Sequence, residues 1–153
     1  MNPALARPIG NRGPWVSPGN YTVTVASNGA EASTTVEVRG DPDMPITLAM
    51  YQSRERFMLE ALALSNEIRA YMRENGMGGS GGGRGGFGRG GGAPLNTPAG
   101  KLSAAMRAAQ GAYGSLNGRQ VRGGSLYPPT RSHRDQLQLA KDLFAEVRGV
   151  RDP

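Results

Sequence analysis

The chain has 153 residues, no cysteine and a net charge of +6 at pH 7, and 24 of its residues are glycine. This length suits one domain or two small ones. The lack of cysteine excludes disulfide bonds and thiol chemistry. No apolar run approaches the roughly 20 residues that a membrane-spanning helix needs. Aromatic residues make up only 6% of the chain, which predicts a modest hydrophobic core.

Residues 1–42 predict a partial immunoglobulin-like β element. After a proline-rich start, residues 21–25 alternate as a half-buried strand, and residues 34–38 form the returning strand. Asn28-Gly29 is a hairpin signal because both residues accept the positive φ angles of a tight turn. Two strands alone are marginally stable in water, so the hairpin either packs on the helices or completes a larger sandwich. Tyr21, Val23 and Val25 share one face of the first strand, and Val36 and Val38 are predicted to face inward from the second.

Residues 43–75 predict a long first helix. Asp43 and Pro45 suit a first helical turn, and Asn75-Gly76 is a stop signal. Charged residues such as Arg54 are expected mostly off the apolar stripe. The stripe comprises Met50, Phe57, Ala61, Leu64, Ile68 and Met72, widened by Met58, Leu59 and Leu62.

Residues 97–153 predict two more helices. Thr97-Pro98 begins the second, which Asn117-Gly118 ends; Thr130 caps the third. The predicted face of the second helix is Leu102, Ala105, Met106, Ala109, Ala112, Tyr113 and Leu116, and that of the third is Leu137, Ala140, Phe144 and Val147, widened by Leu139 and Leu143. The predicted fold class is therefore α+β: a β-hairpin or partial immunoglobulin-like sandwich element, then an antiparallel three-helix bundle with a disordered glycine-rich linker between helices.

Charge differs between these segments. Residues 41–75 carry a net charge of −2, whereas residues 101–153 carry +5. This separation indicates either helices that attract one another or an acidic partner such as nucleic acid. We favour complementary faces within the molecule, since these are the commoner arrangement.

Residues 76–96 predict a flexible linker. Twelve of the residues in 76–92 are glycine, and Arg84, Phe87 and Arg89 lie among them. That composition also fits an RGG-type segment, in which arginines contact phosphates and an aromatic ring stacks on bases. The alternative function is therefore a small protein that binds single-stranded nucleic acid through these three residues.

Other polar residues suggest no enzyme. His133 is the only histidine and is expected at the surface or in a helix-cap contact. Glu55, Glu60, Glu67 and Glu74 are expected to form solvated ion pairs rather than a glycosidase site. Tyr127, before Pro128-Pro129, is expected to pack under the bundle. Trp15 could stack on a sugar or cover a core edge, and the sequence does not separate these. We expect no catalytic residue, no metal and no cofactor.

Three segments resemble the C-terminal region of bacterial sortilin-like, sialidase-repeat β-propeller proteins, which usually carry a glycosyl hydrolase label. Residues 13–25, GPWVSPGNYTVTV, resemble their turn-and-strand motif GPxVxPGxYTVxL. Residues 36–42, VEVRGDP, follow in the same order, and residues 121–130, VRGGSLYPPT, resemble the VRxGxLYPPT loop before their last helix. The chain contains no propeller blades and no Asp-box repeats.

This resemblance implies a non-catalytic accessory module that mediates assembly or docking. The implied partners are an upstream β-propeller region or a strand of another protein, with self-association as a further expectation. The family is generally exported, but residues 1–7 lack the apolar segment of a secretory signal. We therefore expect a fragment, a truncated reading frame or a stand-alone descendant.

Overall fold

A computed structural model describes residues 14–77, 93–119 and 122–149 of the chain. These ranges form an α+β fold in which a two-stranded antiparallel hairpin precedes three helices. The elements are β1 (Gly19–Ser27), β2 (Ala30–Val38), α1 (Leu48–Glu74), α2 (Pro98–Asn117), the short strands β3 (Gly118–Arg119) and β4 (Arg122–Gly123), and α3 (Arg131–Gly149). The α+β class predicted from the sequence is confirmed.

The hairpin forms at the predicted turn. Asn28 has φ 50° and Gly29 has φ 80°, so both occupy the left-handed region that a tight two-residue turn requires. In the resulting register Tyr21 lies opposite Val36 and Val23 opposite Thr34. Both strands extend further than the sequence predicts, because pairing continues up to the turn from either side.

Helix α1 begins later than predicted. Thr47 is its N-cap, and the Thr47 hydroxyl accepts a hydrogen bond from the Met50 amide at 3.3 Å. The start predicted at Asp43 is wrong because Asp43 belongs to a preceding turn, where its amide donates to Asp41 Oδ1 at 3.0 Å. The predicted end at Asn75 is confirmed.

Helices α2 and α3 begin at the predicted caps. The Thr97 hydroxyl accepts from the Gly100 amide at 3.1 Å, and Pro98 occupies the first turn. The Thr130 hydroxyl accepts from the His133 amide at 3.4 Å. Side chains that satisfy free amide groups in this way stabilise a helix start by about 1 kcal/mol.

The core lies between the three helices. Helix α2 packs closely on both α1 and α3, while α1 and α3 touch each other much less. Most of the predicted stripes are buried, including Met58 and Leu62. Leu139 is 53% exposed, so its predicted place at the core edge is wrong; it projects from α3 away from the packed face. The core residues are Phe57, Met58, Ala61, Leu62, Leu64, Ile68, Leu102, Ala105, Ala109, Ala112, Tyr113, Leu116, Leu137, Ala140, Phe144 and Val147.

Two ion pairs join different helices, and the one between α1 and α3 agrees with the predicted attraction between residues 41–75 and 101–153. Lys141 of α3 donates to Glu60 of α1 at 2.5 Å, and Lys101 of α2 pairs with Glu146 of α3.

Among the helices that the structure describes, each is too short or too polar to traverse a lipid bilayer.

Candidate interaction surface

One face of the hairpin is mostly apolar and open to solvent, with Thr34 as a polar side chain opposite Val23. Side chains alternate along a strand, and the register places Tyr21, Val23 and Val25 of β1 on the same side as Val36 of β2. Val23 is 47% exposed, Val25 is 64% exposed and Val36 is 43% exposed. We call these four residues the hairpin face. Of the two predicted alternatives, packing of this face on the helices is wrong, because the helices bury one another and leave Val23, Val25 and the predicted inward residue Val36 uncovered within the described ranges.

The opposite face of the hairpin is polar. It carries Thr22, Thr24, Ser33, Thr35 and Glu37, and the hydroxyls of Thr24 and Ser33 lie 2.7 Å apart as a hydrogen-bonded cross-strand pair. An antiparallel sheet with one apolar and one polar face is the pattern of a layer that packs on one side only. The described hairpin thus has one polar face and one mostly apolar face.

The outer edges of both strands are also open. Strands β1 and β2 pair with each other and with no other strand in the described part of the chain. Each strand therefore presents a row of backbone amide and carbonyl groups with which a further strand can pair. Arg39 and Glu37 form an exposed ion pair at the end of β2, with 2.7 Å between Nη2 and Oε2.

The root of the hairpin is held on α1 by hydrogen bonds. The Glu55 carboxylate accepts from the Ser17 hydroxyl at 2.5 Å and from the Ser17 amide at 3.2 Å. The Tyr21 hydroxyl donates to the Ser17 carbonyl at 2.7 Å. Burial and the neighbouring Glu55 charge raise the pKa of Tyr21 above its usual value. These bonds connect the start of β1 to the helices.

The segment just after β2 also contacts α1, through the side chain of Tyr51. The Asp41 amide donates to the Tyr51 hydroxyl at 3.3 Å. A Cβ atom at Gly40 would lie only 3.3 Å from Tyr51 Cε2, so glycine permits this close approach. The hairpin is therefore tied to α1 at its root on both strands, while its face projects free.

Arg54, which precedes Glu55 on α1, is 2% exposed. Its Nε donates to the Ser125 carbonyl at 2.6 Å and its Nη2 to the Leu116 carbonyl at 3.0 Å. Burial lowers the pKa of Arg54 below its usual value, and the carbonyl acceptors compensate for lost hydration. The sequence prediction that this charge lies off the stripe is wrong. The spacing of residues could have indicated that Arg54 is buried, since it lies one helical turn before Phe57 and Met58 and therefore on the same face of α1.

The three residues of the predicted nucleic-acid site, Arg84, Phe87 and Arg89, lie outside the described residues. His133 does make the predicted cap contact: its Nδ1 accepts from the Thr130 amide at 3.2 Å. Its ring centroid lies 6.4 Å from that of Phe57.

Glu60 forms a partly exposed ion pair, as predicted from the sequence, and its partner is Lys141 of α3. Glu55 instead accepts hydrogen bonds from the amide and the hydroxyl of Ser17. Among the described residues, no group of three or more His, Cys, Asp or Glu side chains is arranged to hold a metal ion.

The two aromatic residues near the loops, Tyr127 and Trp15, are both exposed. Tyr127 is 46% exposed, so its predicted packing under the bundle is wrong; Pro129 is buried there instead. Trp15 is 57% exposed, and its Nε1 donates to the Asn117 carbonyl at 3.3 Å, at the end of α2. Trp15 and the hairpin face are the main exposed apolar groups around the hairpin.

Comparisons of this chain with protein-family models, with curated proteins and with solved structures found no match.

Proposed function

We propose that this chain is a non-catalytic interaction module whose hairpin completes a β-sandwich in a partner region. The observation that carries the proposal is the exposure of Val23, Val25 and Val36 on one side of a regularly paired hairpin. Moving a valine side chain from full exposure to full burial is worth about 1.5–3 kcal/mol, and covering these half-exposed valines would supply roughly half of that for each. A partner sheet that covers this face would therefore gain substantial binding free energy.

The partner is a β-sheet with an apolar face and a free edge. The outer edges of β1 and β2 supply backbone groups for pairing, and the hairpin face supplies side chains for packing between layers. The polar side of the hairpin, with Thr22 and Thr24, remains in water. This division matches one outer layer of a sandwich.

The three helices act as the anchor for the hairpin. The bonds from Ser17 to Glu55 and from Asp41 to Tyr51 hold both strands on α1 at the root of the hairpin. We propose that the helices form an up-down-up bundle with α2 antiparallel to its neighbours. The contact of Arg54 with Leu116 near opposite ends of α1 and α2 supports this direction.

The resemblance to sortilin-like propeller proteins identifies the kind of partner. In this proposal the chain is the C-terminal module of an exported propeller protein of that type, and the partner is the immunoglobulin-like segment that precedes the module. The open face and edges support this role, because they provide what an incomplete sandwich lacks. Assembly or docking is then the function, with no reaction catalysed.

The experiment measures binding to an immunoglobulin-like segment from a sortilin-like propeller protein, expressed without its own last two strands. We expect binding by calorimetry, with slower hydrogen exchange in β1 and β2. The double variant Val23→Thr and Val25→Thr should weaken binding at least about tenfold, since it removes apolar area but retains shape and strand preference. The matched control is Thr22→Ser with Thr24→Ser on the polar face, which should bind like the natural chain. No binding, or equal loss in both variants, would refute the proposal.

A further inference from the structure

A shallow groove of about 500 Å³ runs between α1 and α3, on a side of the helices that no described element covers. Its floor includes Leu64 and Phe144, and four charged side chains border it. Glu60 and Glu67 lie on the α1 side, whereas Lys141 and Arg148 lie on the α3 side. We call this surface the helical groove.

The two rows of charge are regular. Glu60 and Glu67 are separated by about two helical turns, as are Lys141 and Arg148, so each pair projects from one side of its helix. Glu60 and Lys141 lie at the same level, since Oε1 and Nζ are 2.5 Å apart. The guanidinium carbon of Arg148 lies 5.5 Å from the Phe144 ring centroid, which keeps this charge beside the apolar floor.

Helices α1 and α3 run in the same direction along the groove. Phe57 lies near His133 at 6.4 Å between ring centroids, and further along both helices Tyr71 meets Phe144 edge-on at 5.6 Å. An acidic row and a basic row therefore lie side by side on two parallel helices, with apolar side chains between them.

We propose that the helical groove is the interface of a two-fold symmetric dimer of this chain. A two-fold axis parallel to the helices places α1 of one copy over α3 of the second copy. Glu60 and Lys141 stay paired within each copy, so the two Glu60–Lys141 pairs meet as four alternating charges. Glu67 of each copy faces Arg148 of the other. Every charge contact occurs twice by symmetry, as an isologous interface requires.

Charge complementarity also sets the orientation of the second copy. A two-fold axis across the helices would place α1 against α1 and would bring acidic rows together, which is unfavourable. The pattern of the groove is thus complementary to itself in one orientation only. This self-complementarity identifies a second copy, rather than an unrelated helix, as the occupant.

The dimer should be weak and sensitive to salt. Exposed ion pairs contribute little individually, and screening by salt reduces them further. The apolar floor is small because Leu64 and Phe144 are already largely buried within one copy. We expect weak association at low salt that weakens several-fold at about 0.5 M salt.

The test uses Glu67→Arg and Arg148→Glu in the full chain, measured by sedimentation equilibrium. Both residues are exposed, and neither forms an ion pair with another described residue, so folding should be retained. Each variant alone places like charges opposite each other twice per dimer and should weaken dimerisation at least about tenfold. An equimolar mixture of the two variants restores both opposite-charge contacts and should dimerise within about threefold of the natural chain. The control Arg107→Glu, an exposed position on α2 outside the groove, should dimerise like the natural chain.

A natural chain that stays monomeric up to about 500 µM at low salt would overturn the proposal, as would a mixture that fails to restore association. The result is independent of the sandwich proposal. The hairpin variant Val23→Thr with Val25→Thr should leave this dimer intact, and Glu67→Arg should leave binding of the immunoglobulin-like segment unchanged.

Discussion

Arg54 donates a hydrogen bond from its Nε to the carbonyl oxygen of Ser125 at 2.6 Å, across 71 residues of sequence. Its Nη2 reaches the Leu116 carbonyl near the end of α2 at 3.0 Å. The last four carbonyls of a helix lack partners within the helix and carry partial negative charge. One buried guanidinium therefore connects α1, the end of α2 and the loop that leads into α3.

Replacing Arg54 by methionine should destabilise the fold by about 2–4 kcal/mol, because two carbonyls lose a charged donor at a buried position. Chemical denaturation monitored by circular dichroism gives the free energy of unfolding. The matched control is Arg56→Met, since Arg56 is exposed on the same helix; it should change stability by less than about 0.5 kcal/mol. Equal effects of the two substitutions would show that the buried contacts of Arg54 contribute nothing.

Two glycines of α2 should respond to alanine in opposite directions. A Cβ atom at Gly100 would lie 2.0 Å from the Pro94 carbonyl oxygen, whereas one at Gly111 would meet only Gln136 Oε1 at 3.8 Å. We expect Gly100→Ala to lower the melting temperature by several degrees, because the chain before α2 must move. Gly111→Ala should stabilise the protein by about 0.5–1 kcal/mol, since alanine is the better helix former. Thermal melts of both variants check this pair, and a stabilising Gly100→Ala would contradict the close approach.

Tyr113 should make the protein less stable at high pH. It is 3% exposed, and burial raises its pKa above the usual 10.0, an effect that the nearby Arg54 charge partly offsets. Above pH 10 the unfolded chain loses the phenol proton before the folded chain does, so stability is full below that pH and falls as pH rises through the folded pKa.

Urea denaturation at several pH values between ~8 and ~11 measures this slope. Tyr113→Phe should flatten the loss of stability above pH 10. The control Tyr127→Phe, at a residue that is 46% exposed, should retain the natural slope. If Tyr113→Phe loses stability above pH 10 as steeply as the natural chain does, groups other than Tyr113 cause that loss.

Much of the secondary structure was predictable because its signals are local. The turn at Asn28-Gly29 depends on two adjacent residues, and the starts of α2 and α3 depend on a hydroxyl that reaches an amide three residues away. The start of α1 was predicted too early because Asp43 lies in the turn that precedes the helix. The hydroxyl that caps the helix belongs to Thr47. Periodicity also located most of the core.

The candidate surfaces were less predictable. Strand alternation identified the hairpin face but implied that it was covered, and only the packing of the helices on one another shows it to be open. The spacing of Glu60, Glu67, Lys141 and Arg148 is visible in the sequence, but their shared groove depends on α1 and α3 lying side by side.

The sequence by itself determined where the helices and the turn form, since caps, glycine φ angles and apolar spacing act over a few neighbouring residues. Only the tertiary structure decided that Arg54 is buried, that Glu55 holds Ser17 and that Val25 faces water. Each of these outcomes depends on which distant groups meet, because burial and hydrogen-bond partners are properties of the packed chain rather than of a local segment.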